Sequence, residues 1–367
     1  MTRGCRGSVT RRGFLQRVGG GVMAAALPWS HVRPLLAAQA AATPRYPGRV
    51  VEASSPEVAT SRGYRQDVVD RLVERGLLEL TGAPDLAAAW KRFVGPDDVV
   101  GLKVNTLSGP GCSTRREVVQ ATVKGLRLAG VPEANIVIWD RFESHLRRAR
   151  YEIVQRPGGL RCYATDSPGV GSDMDVLYQA NTLDWIPERL RKDPARGFAA
   201  SYNNSHFSNI FTRHITKQIN LPVLKDHNIT GVTLALKNVA FGICSNTERF
   251  HPTPINCDPM IAEVCAHEMV QRKNVLTIAD CLSILYDGGP MVDPQFLLGY
   301  RSLLVATDMV AVDTVGLSIL EEIRRGRNLP SLWKTSSPPK HIGTGAKLGL
   351  GVGDLEAITR VRLAVRA

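Results

Sequence analysis

The sequence predicts an α/β fold: a mostly parallel sheet with helices on both faces and an irregular insertion. Three observations carry this. Short apolar runs of strand length, at 99–104, 135–139, 218–224, 274–279 and 302–306, alternate with segments of helical period. The stretch from Val99 to Trp139 reads as a complete strand–helix–strand unit, which places its two strands parallel. Each apolar run also ends abruptly in polar residues, as strands do where their carboxyl ends meet a ligand crevice.

The chain opens with a targeting pattern. Thr10-Arg11-Arg12-Gly13-Phe14-Leu15 matches the twin-arginine export pattern, and a mildly apolar Gly/Ala-rich run from Val18 to Leu27 follows, too short to span a bilayer. Ala38-Gln39-Ala40 supplies a small-x-small cleavage site, so residues 1–40 are expected to be removed, leaving no stable membrane anchor on the mature chain. The expected location is the periplasm or beyond, reached through the twin-arginine (Tat) machinery with the cargo already folded. The six arginines of 1–40, with no acid among them, account for half of the formal charge of +12. The balance suits an anionic small molecule or an anionic surface equally. Basic and aromatic residues are nowhere interleaved, which argues against nucleic acid as a partner.

Residues 41–98 read as a helical lead-in. Val68, Val69, Leu72, Val73 and Leu77 have helical spacing, and Asp85 suits the positive amino end of a second helix over 85–94. The α/β domain is expected over 99–355. Its first strand ends in Lys103 and Asn105, a glycine-containing loop follows, and Thr114-Arg115-Arg116-Glu117 has the form of a capping box opening a helix to about Ala129. The spacing is neither a P-loop nor a dinucleotide fingerprint. Residues 142–212, rich in charge, Gly, Pro and aromatics, read as an insertion or lid. The strand at 218–224 then leads through Lys225-Asp226-His227-Asn228 to Thr230, an N-cap for a helix carrying Val232, Ala235, Leu236 and Val239, although the alternation Val232, Leu234, Leu236 fits a strand equally. The last two strands end at Asp280 and Asp308, and a strong helix begins at Met309.

The pattern K-x-H followed by T-G-V-T-L-A-L-K-N, then the Asp280–Pro290 segment with its Gly-Gly-Pro and D-M-V-A-V-D, resembles the domain of unknown function 362 family over most of the chain from about Val99 onward. The resemblance implies a shared fold region and site but no established reaction. Some relatives carry ferredoxin-type cysteine runs. The six cysteines after residue 40 form no C-x-x-C pair, so a ferredoxin-type iron–sulfur cluster is not expected. One or two disulfides are compatible with an oxidising compartment.

If the strands are parallel, Lys103, Asn105, Asp140, Lys225, His227, Asp280 and Asp308 converge on one edge. Loop polarity accounts for Asp140, and capping accounts for Asp308. Neither accounts for Lys103, Lys225 and Lys237. The expected roles are therefore acid–base catalysis by Lys225, His227, Lys237 and Asp280, with substrate binding by Lys103, Asn105 and Asn238. Asp280 and Asp308 could orient these cations or hold a divalent metal, and Asp313, five residues after Asp308 and off its helix face, could support them from behind. A rival cluster, Cys244, His251, Cys257, Cys265 and His267, matches no structural zinc spacing. The sequence thus points to an exported enzyme doing acid–base chemistry on a carboxylate- or phosphate-bearing small molecule. The alternative is a non-catalytic metal-binding or redox accessory protein.

Export should depend on the arginine pair, because twin-arginine recognition reads guanidinium geometry as well as charge. The double substitution Arg11→Lys, Arg12→Lys should leave precursor in the cytoplasm, and wild-type mature protein should begin near Ala41. Fractionation and amino-terminal sequencing read both, and normal export of the double variant would remove the assignment.

Overall fold

The computed structural model describes residues 44–61, 63–180, 204–251 and 255–366. The twin-arginine pattern and the cleavage site lie outside them, as does part of the 142–212 segment. Eleven strands form the main sheet: β1 (Arg49–Ser54), β2 (Val100–Val104), β3 (Ile136–Asp140), β4 (Arg161–Ala164), β5 (Lys217–Leu221), β6 (Val223–His227), β7 (Gly231–Thr233), β8 (Asn274–Leu285), β9 (Leu297–Leu298), β10 (Ser302–Ala306) and β11 (Thr359–Ala364). The main path runs β11-β1-β10-β8-β5-β2-β3-β4, with β6 and β9 on β8 and β7 on β6.

Alternation along the strands builds two cores, one on each face of the sheet. Val100, Leu102, Val104, Ile136, Ile138, Ile219 and Leu221 point to one side, where helices Gln66–Thr81, Leu86–Lys91 and Arg116–Leu128 pack. Val137, Trp139, Ala279, Leu304 and Ala306 point to the other, against helices Ala235–Ile243, Met260–Ala266 and Met309–Gly326. Covering both faces excludes water from the parallel ladders and leaves the carboxyl edge as the place where polar groups can gather. The mostly parallel α/β architecture is the one expected.

Several local expectations are corrected. The lead-in is not purely helical, because β1 sits inside the sheet, parallel to β11 and antiparallel to β10. The 142–212 segment likewise contributes β4, parallel to β3, and a hairpin of Ser172–Gln179 with Asn204–Ser208. The run at 218–224 is two strands, since Pro222 has no N–H to continue the ladder and the chain re-forms beyond it as β6. Thr230 does not open a helix: Gly231–Thr233 turns back as β7 on β6, and the helix begins at Ala235. Thr114 is not a cap either. Its hydroxyl accepts from Asn105 N–H at 2.8 Å and donates to Leu221 O at 2.6 Å, which ties the glycine-containing loop to β5. The six described cysteines after residue 40 are all buried and free.

The correction that matters most for the site concerns β10. It runs antiparallel to β8, with Asp280 opposite Leu303 and Thr277 opposite Ala306. Along the main path it alone opposes the common direction, so the residues after its carboxyl end fall on the edge away from those following β2, β3 and β6. Asp308 is accordingly buried on that far side. One oxygen accepts from Ala311 N–H at 2.9 Å as the N-cap of helix Met309–Gly326, and the other accepts from Gly48 N–H and Val352 N–H, both at 2.9 Å. It joins the start of β1, the long helix and the carboxyl-terminal segment. Asp308→Ala should therefore destabilise the fold by about 2–4 kcal/mol, since a cap and two further buried donors lose their acceptor. Urea melts check this, and a loss within about 0.5 kcal/mol would contradict it.

Candidate functional site

Where β2, β3 and β6 end, the sheet edge opens into a cleft of about 440 Å³. Lys103, Asn105, Lys225, His227, Lys237 and Asn238 all line it, together with Asp140, Arg141, Phe241 and His251. Each arrives there for a local reason. In β2, Lys103 sits between Leu102 and Val104 and so faces the opposite core from both. In β6, Lys225 and His227 share a face by the same two-residue period, and Asp226 turns away to accept from Gly289 N–H. Lys237 and Asn238 lie in the first turns of helix Ala235–Ile243, whose amino end is held by a carboxylate from another helix. Asp313 accepts from Ala235 N–H at 2.6 Å and Leu236 N–H at 3.2 Å.

Lys103 is the centre of the arrangement. Its Nζ donates to Asp140 Oδ1 at 2.8 Å, Val104 O at 2.6 Å and Asn238 Oδ1 at 3.1 Å, so an ammonium's three N–H bonds all have acceptors. Burial alone would raise the Asp140 carboxyl, but the Lys103 ammonium, with donors from Thr106 and Arg141, holds it below its ordinary value. The Lys103 stem crosses helix Ala235–Ile243 at Gly242, where a Cβ would overlap Lys103 Cε. Asn238 and Gly242 are four apart and so share the helix face that meets the lysine.

A directional run of amides starts from the same helix. Asn220 donates to Ala235 O at 3.0 Å, Asn238 to Asn220 Oδ1 at 2.8 Å, Asn105 to Asn238 Oδ1 at 3.2 Å, and Lys225 to Asn105 Oδ1 at 2.8 Å. Every amide orientation follows from its neighbour, so Asn105 has to turn its oxygen toward Lys225. Lys225 also donates to Ser108 Oγ at 2.7 Å, and Ser108 passes its own hydrogen to Pro290 O. Lys225 is completely buried, and burial lowers its pKa.

His227 and Lys237 form the third piece. Lys237 Nζ lies 3.1 Å from His227 Nε2 and 4.0 Å from the centre of the Phe241 ring. His227 stacks on His251, the ring centres 6.3 Å apart. Desolvation pushes Lys237 down to about 8, helped by Lys225 and Arg141. It pushes His227 well below its ordinary value, helped by Lys237, and takes His251 down to about 4.

Asp280, expected to act in the site, does not line the cleft. Its carboxylate is buried within the sheet and accepts from Arg115 N–H at 2.7 Å and Leu282 N–H at 3.0 Å, anchoring the start of helix Arg116–Leu128 to β8. The proposed metal pair also fails to assemble. Leu303, opposite Asp280, lies three residues or about 10 Å from Ala306, and Asp308 is two residues further on. In the rival cluster, Cys265 Sγ contacts Leu236 O and His267 Nδ1 caps a short helix by accepting from Met269 N–H. Among the described residues no three His, Cys, Asp or Glu side chains converge as metal ligands would. Sequence reasoning missed Asn220, Ser108 and Gly242, although Asn238 and Gly242 at i, i+4 held a usable signal. Asp313, expected as a supporting partner inside the helix after Asp308, gives its support to a helix far away in sequence.

Comparison with known proteins places this geometry in a family. The model of Domain of unknown function (DUF362) matches residues 100–318, which contain every cleft residue named above. No match was found among curated proteins. Among solved structures, a Thermotoga maritima protein determined by structural genomics is similar at 11% identity with a TM-score of 0.38, over 72% of this chain and 60% of that one.

The lowered pKa of Lys237 fixes the sign of a pH effect. Between about 8 in the fold and about 10.4 in the unfolded chain, the unfolded state binds more protons, so stability from this group rises with pH. Lys237→Met removes the term. The stability of the variant relative to wild type should fall by on the order of 3 kcal/mol as pH rises from 8 to 10.4. Urea melts across that range measure it, and a constant difference would contradict the buried-lysine assignment.

Proposed function

Because the chain belongs to the family of domain of unknown function 362, whose description names no reaction, we propose its function from the cleft: it binds an anionic small molecule bearing a carboxylate or phosphate and performs acid–base chemistry on it through His227 and Lys237. The observation that carries the reading is Lys225. It is fully buried, yet its two hydrogen-bond partners among the described residues, Asn105 Oδ1 and Ser108 Oγ, are both neutral. A buried cation without a carboxylate beside it is costly, and an anion in the cleft would offset that cost. At the rim Arg141 is paired with Glu248 at 3.2 Å, and Asp140 is already committed to Lys103, so Lys225 is the cation left to an anion among the described cleft residues.

Supporting the acid–base part, His227 and Lys237 sit within hydrogen-bond distance in the same cleft, where burial brings Lys237 down toward neutrality and lowers His227 well below its ordinary value, leaving the imidazole neutral. Asp280 and Asp308 have no part in this reading. The leader pattern at Thr10–Leu15 supports placing the reaction outside the cytoplasm, after export of the folded chain.

Thermal melts of wild type and Lys225→Met test the binding step, run in chloride, in phosphate and in a dicarboxylate at equal ionic strength. Wild type should gain Tm in at least one of the latter two. The variant should gain none and should match or exceed wild type in chloride, because a desolvated cation has been removed. An equal shift in both proteins, or a variant several kcal/mol weaker with no anion effect in either, would overturn the reading.

A further inference from the structure

The three cleft lysines differ in what their nitrogens face. Lys103 Nζ meets three acceptors and Lys225 Nζ meets two. Lys237 Nζ instead meets a ring nitrogen whose proton can be assigned. Ile229 N–H donates to His227 Nδ1 at 3.1 Å, so Nδ1 carries a lone pair. The neutral ring must then hold its hydrogen on Nε2, which points at Lys237 Nζ from 3.1 Å. A hydrogen bond there requires a lone pair on Nζ. An ammonium would set donor against donor. The arrangement is that of the free amine, and the face of Phe241 accepts an N–H from amine or ammonium alike, so it does not reverse the assignment.

The groups coupled to Nζ point the same way. Around it lie His227, Lys225, Arg141 and Cys257, with His251 and His341 also within its field. Burial is the largest influence on Lys237, Lys225 and Arg141 repel its proton, and the Cys257 thiol is pushed up to about 12, which keeps it uncharged. A desolvated amine beside other cations is how lysine becomes a nucleophile near neutral pH.

We infer that Lys237 condenses with the carbonyl group of its substrate to form an imine, and that the substrate is an anionic carbonyl compound, a 2-oxo acid or a phosphorylated aldehyde or ketone. The inference rests on the anion-binding reading for the charged half of that substrate. The Nζ lone pair attacks the carbonyl carbon, forming a C–N bond while the C=O π pair moves to oxygen. His227 Nε2 gives its proton to that oxygen as it takes one from Nζ. The resulting carbinolamine expels its hydroxyl as water, the second amine proton leaving with it by the same route. Amine and carbonyl become imine and water, the imidazole ends as it began, and no electrons are exchanged with another reagent.

Borohydride trapping of the full mature chain tests this, with glyoxylate as the anionic carbonyl and formaldehyde as the neutral one. Peptide mass spectrometry compares Lys237 with Lys124, whose side chain is 64% exposed. Glyoxylate should modify Lys237 at least about tenfold faster than Lys124 at pH 7, because exposed amines stay protonated there. The rate at Lys237 should rise toward pH 8, and its preference over Lys124 should be larger at pH 7 than at pH 9, fall when phosphate competes, and vanish in Lys237→Arg, whose fold is checked by circular dichroism. Equal selectivity for Lys237 with formaldehyde, insensitive to phosphate, would keep the imine and remove the anion site. Labelling of Lys237 no faster than Lys124 by either carbonyl, in protein that phosphate still stabilises, would overturn the imine and leave the anion site standing.

Discussion

The ion pair between Lys103 and Asp140 is the interaction on which the rest of the site depends. Both groups are buried at the carboxyl ends of adjacent parallel strands, 2.8 Å apart. Desolvating two charges is expensive, and the cost is met only when every donor and acceptor has a partner. Here each does: Val104 O and Asn238 Oδ1 complete the ammonium, while Thr106 and Arg141 donate to the carboxylate. Because Asn238 belongs to helix Ala235–Ile243, the pair fixes the helix against the sheet as well as strand against strand. Gly242 lets the helix approach closely enough for this. A buried ion pair adds little net stability compared with apolar packing, but removing one member costs about 3–5 kcal/mol. Its role is better described as enforcing one register between helix and strands.

From that anchor the order of the site propagates through groups that have a single way to pair. Asn238 spends its oxygen on Lys103 and Asn105, so its nitrogen must find Asn220 and the Lys103 carbonyl. Asn105 consequently turns its oxygen to Lys225. Low local dielectric strengthens such a run when it is complete and penalises any gap. Asp313, reaching from helix Met309–Gly326 to the amino end of helix Ala235–Ile243, secures the same helix from its other side. The cleft is therefore preorganised by partners that are themselves buried, a condition a binding site needs if it is to hold its geometry without a ligand.

How much of this was legible in the sequence depends on whether a feature is local. Strand–helix alternation is local, and it located the elements that carry β2, β3, β5 and β8. Lysines at the ends of apolar runs are also local signals, because neither capping nor loop polarity explains them, and Lys103, Lys225 and Lys237 do meet. Strand direction is different. Ser302–Ala306 is as apolar as its neighbours and shows no mark of running antiparallel to β8, a choice made by the neighbour it pairs with. That one reversal carried Asp308 away from the cleft. Asp280 was misread for a related reason: β8 is twelve residues long, so a residue that looks like a strand end lies inside the sheet. Thr114 and Thr230 show the limit of capping patterns, since each hydroxyl found a tertiary or turn partner instead.

The chemistry of the cleft turns on how one residue type is divided among three proton environments. Lysine is a strongly hydrated point charge, so burying it forces a choice between finding acceptors and giving up the proton. Lys103 takes the first course fully and Lys225 partly, leaving a cation that an anion can complete. Lys237 is pushed toward the second, because its strong partner among the described residues is an imidazole whose acceptor nitrogen already receives the Ile229 N–H. The two outcomes are coupled, since a retained charge on Lys225 raises the cost of protonating Lys237 and so favours its amine. The molecule proposed above, carrying both a negative group and an electrophilic carbon, would answer each lysine in its own form. The run of partners outward from Lys103 through Asn238 and Asn105 is what fixes Lys225 in its place.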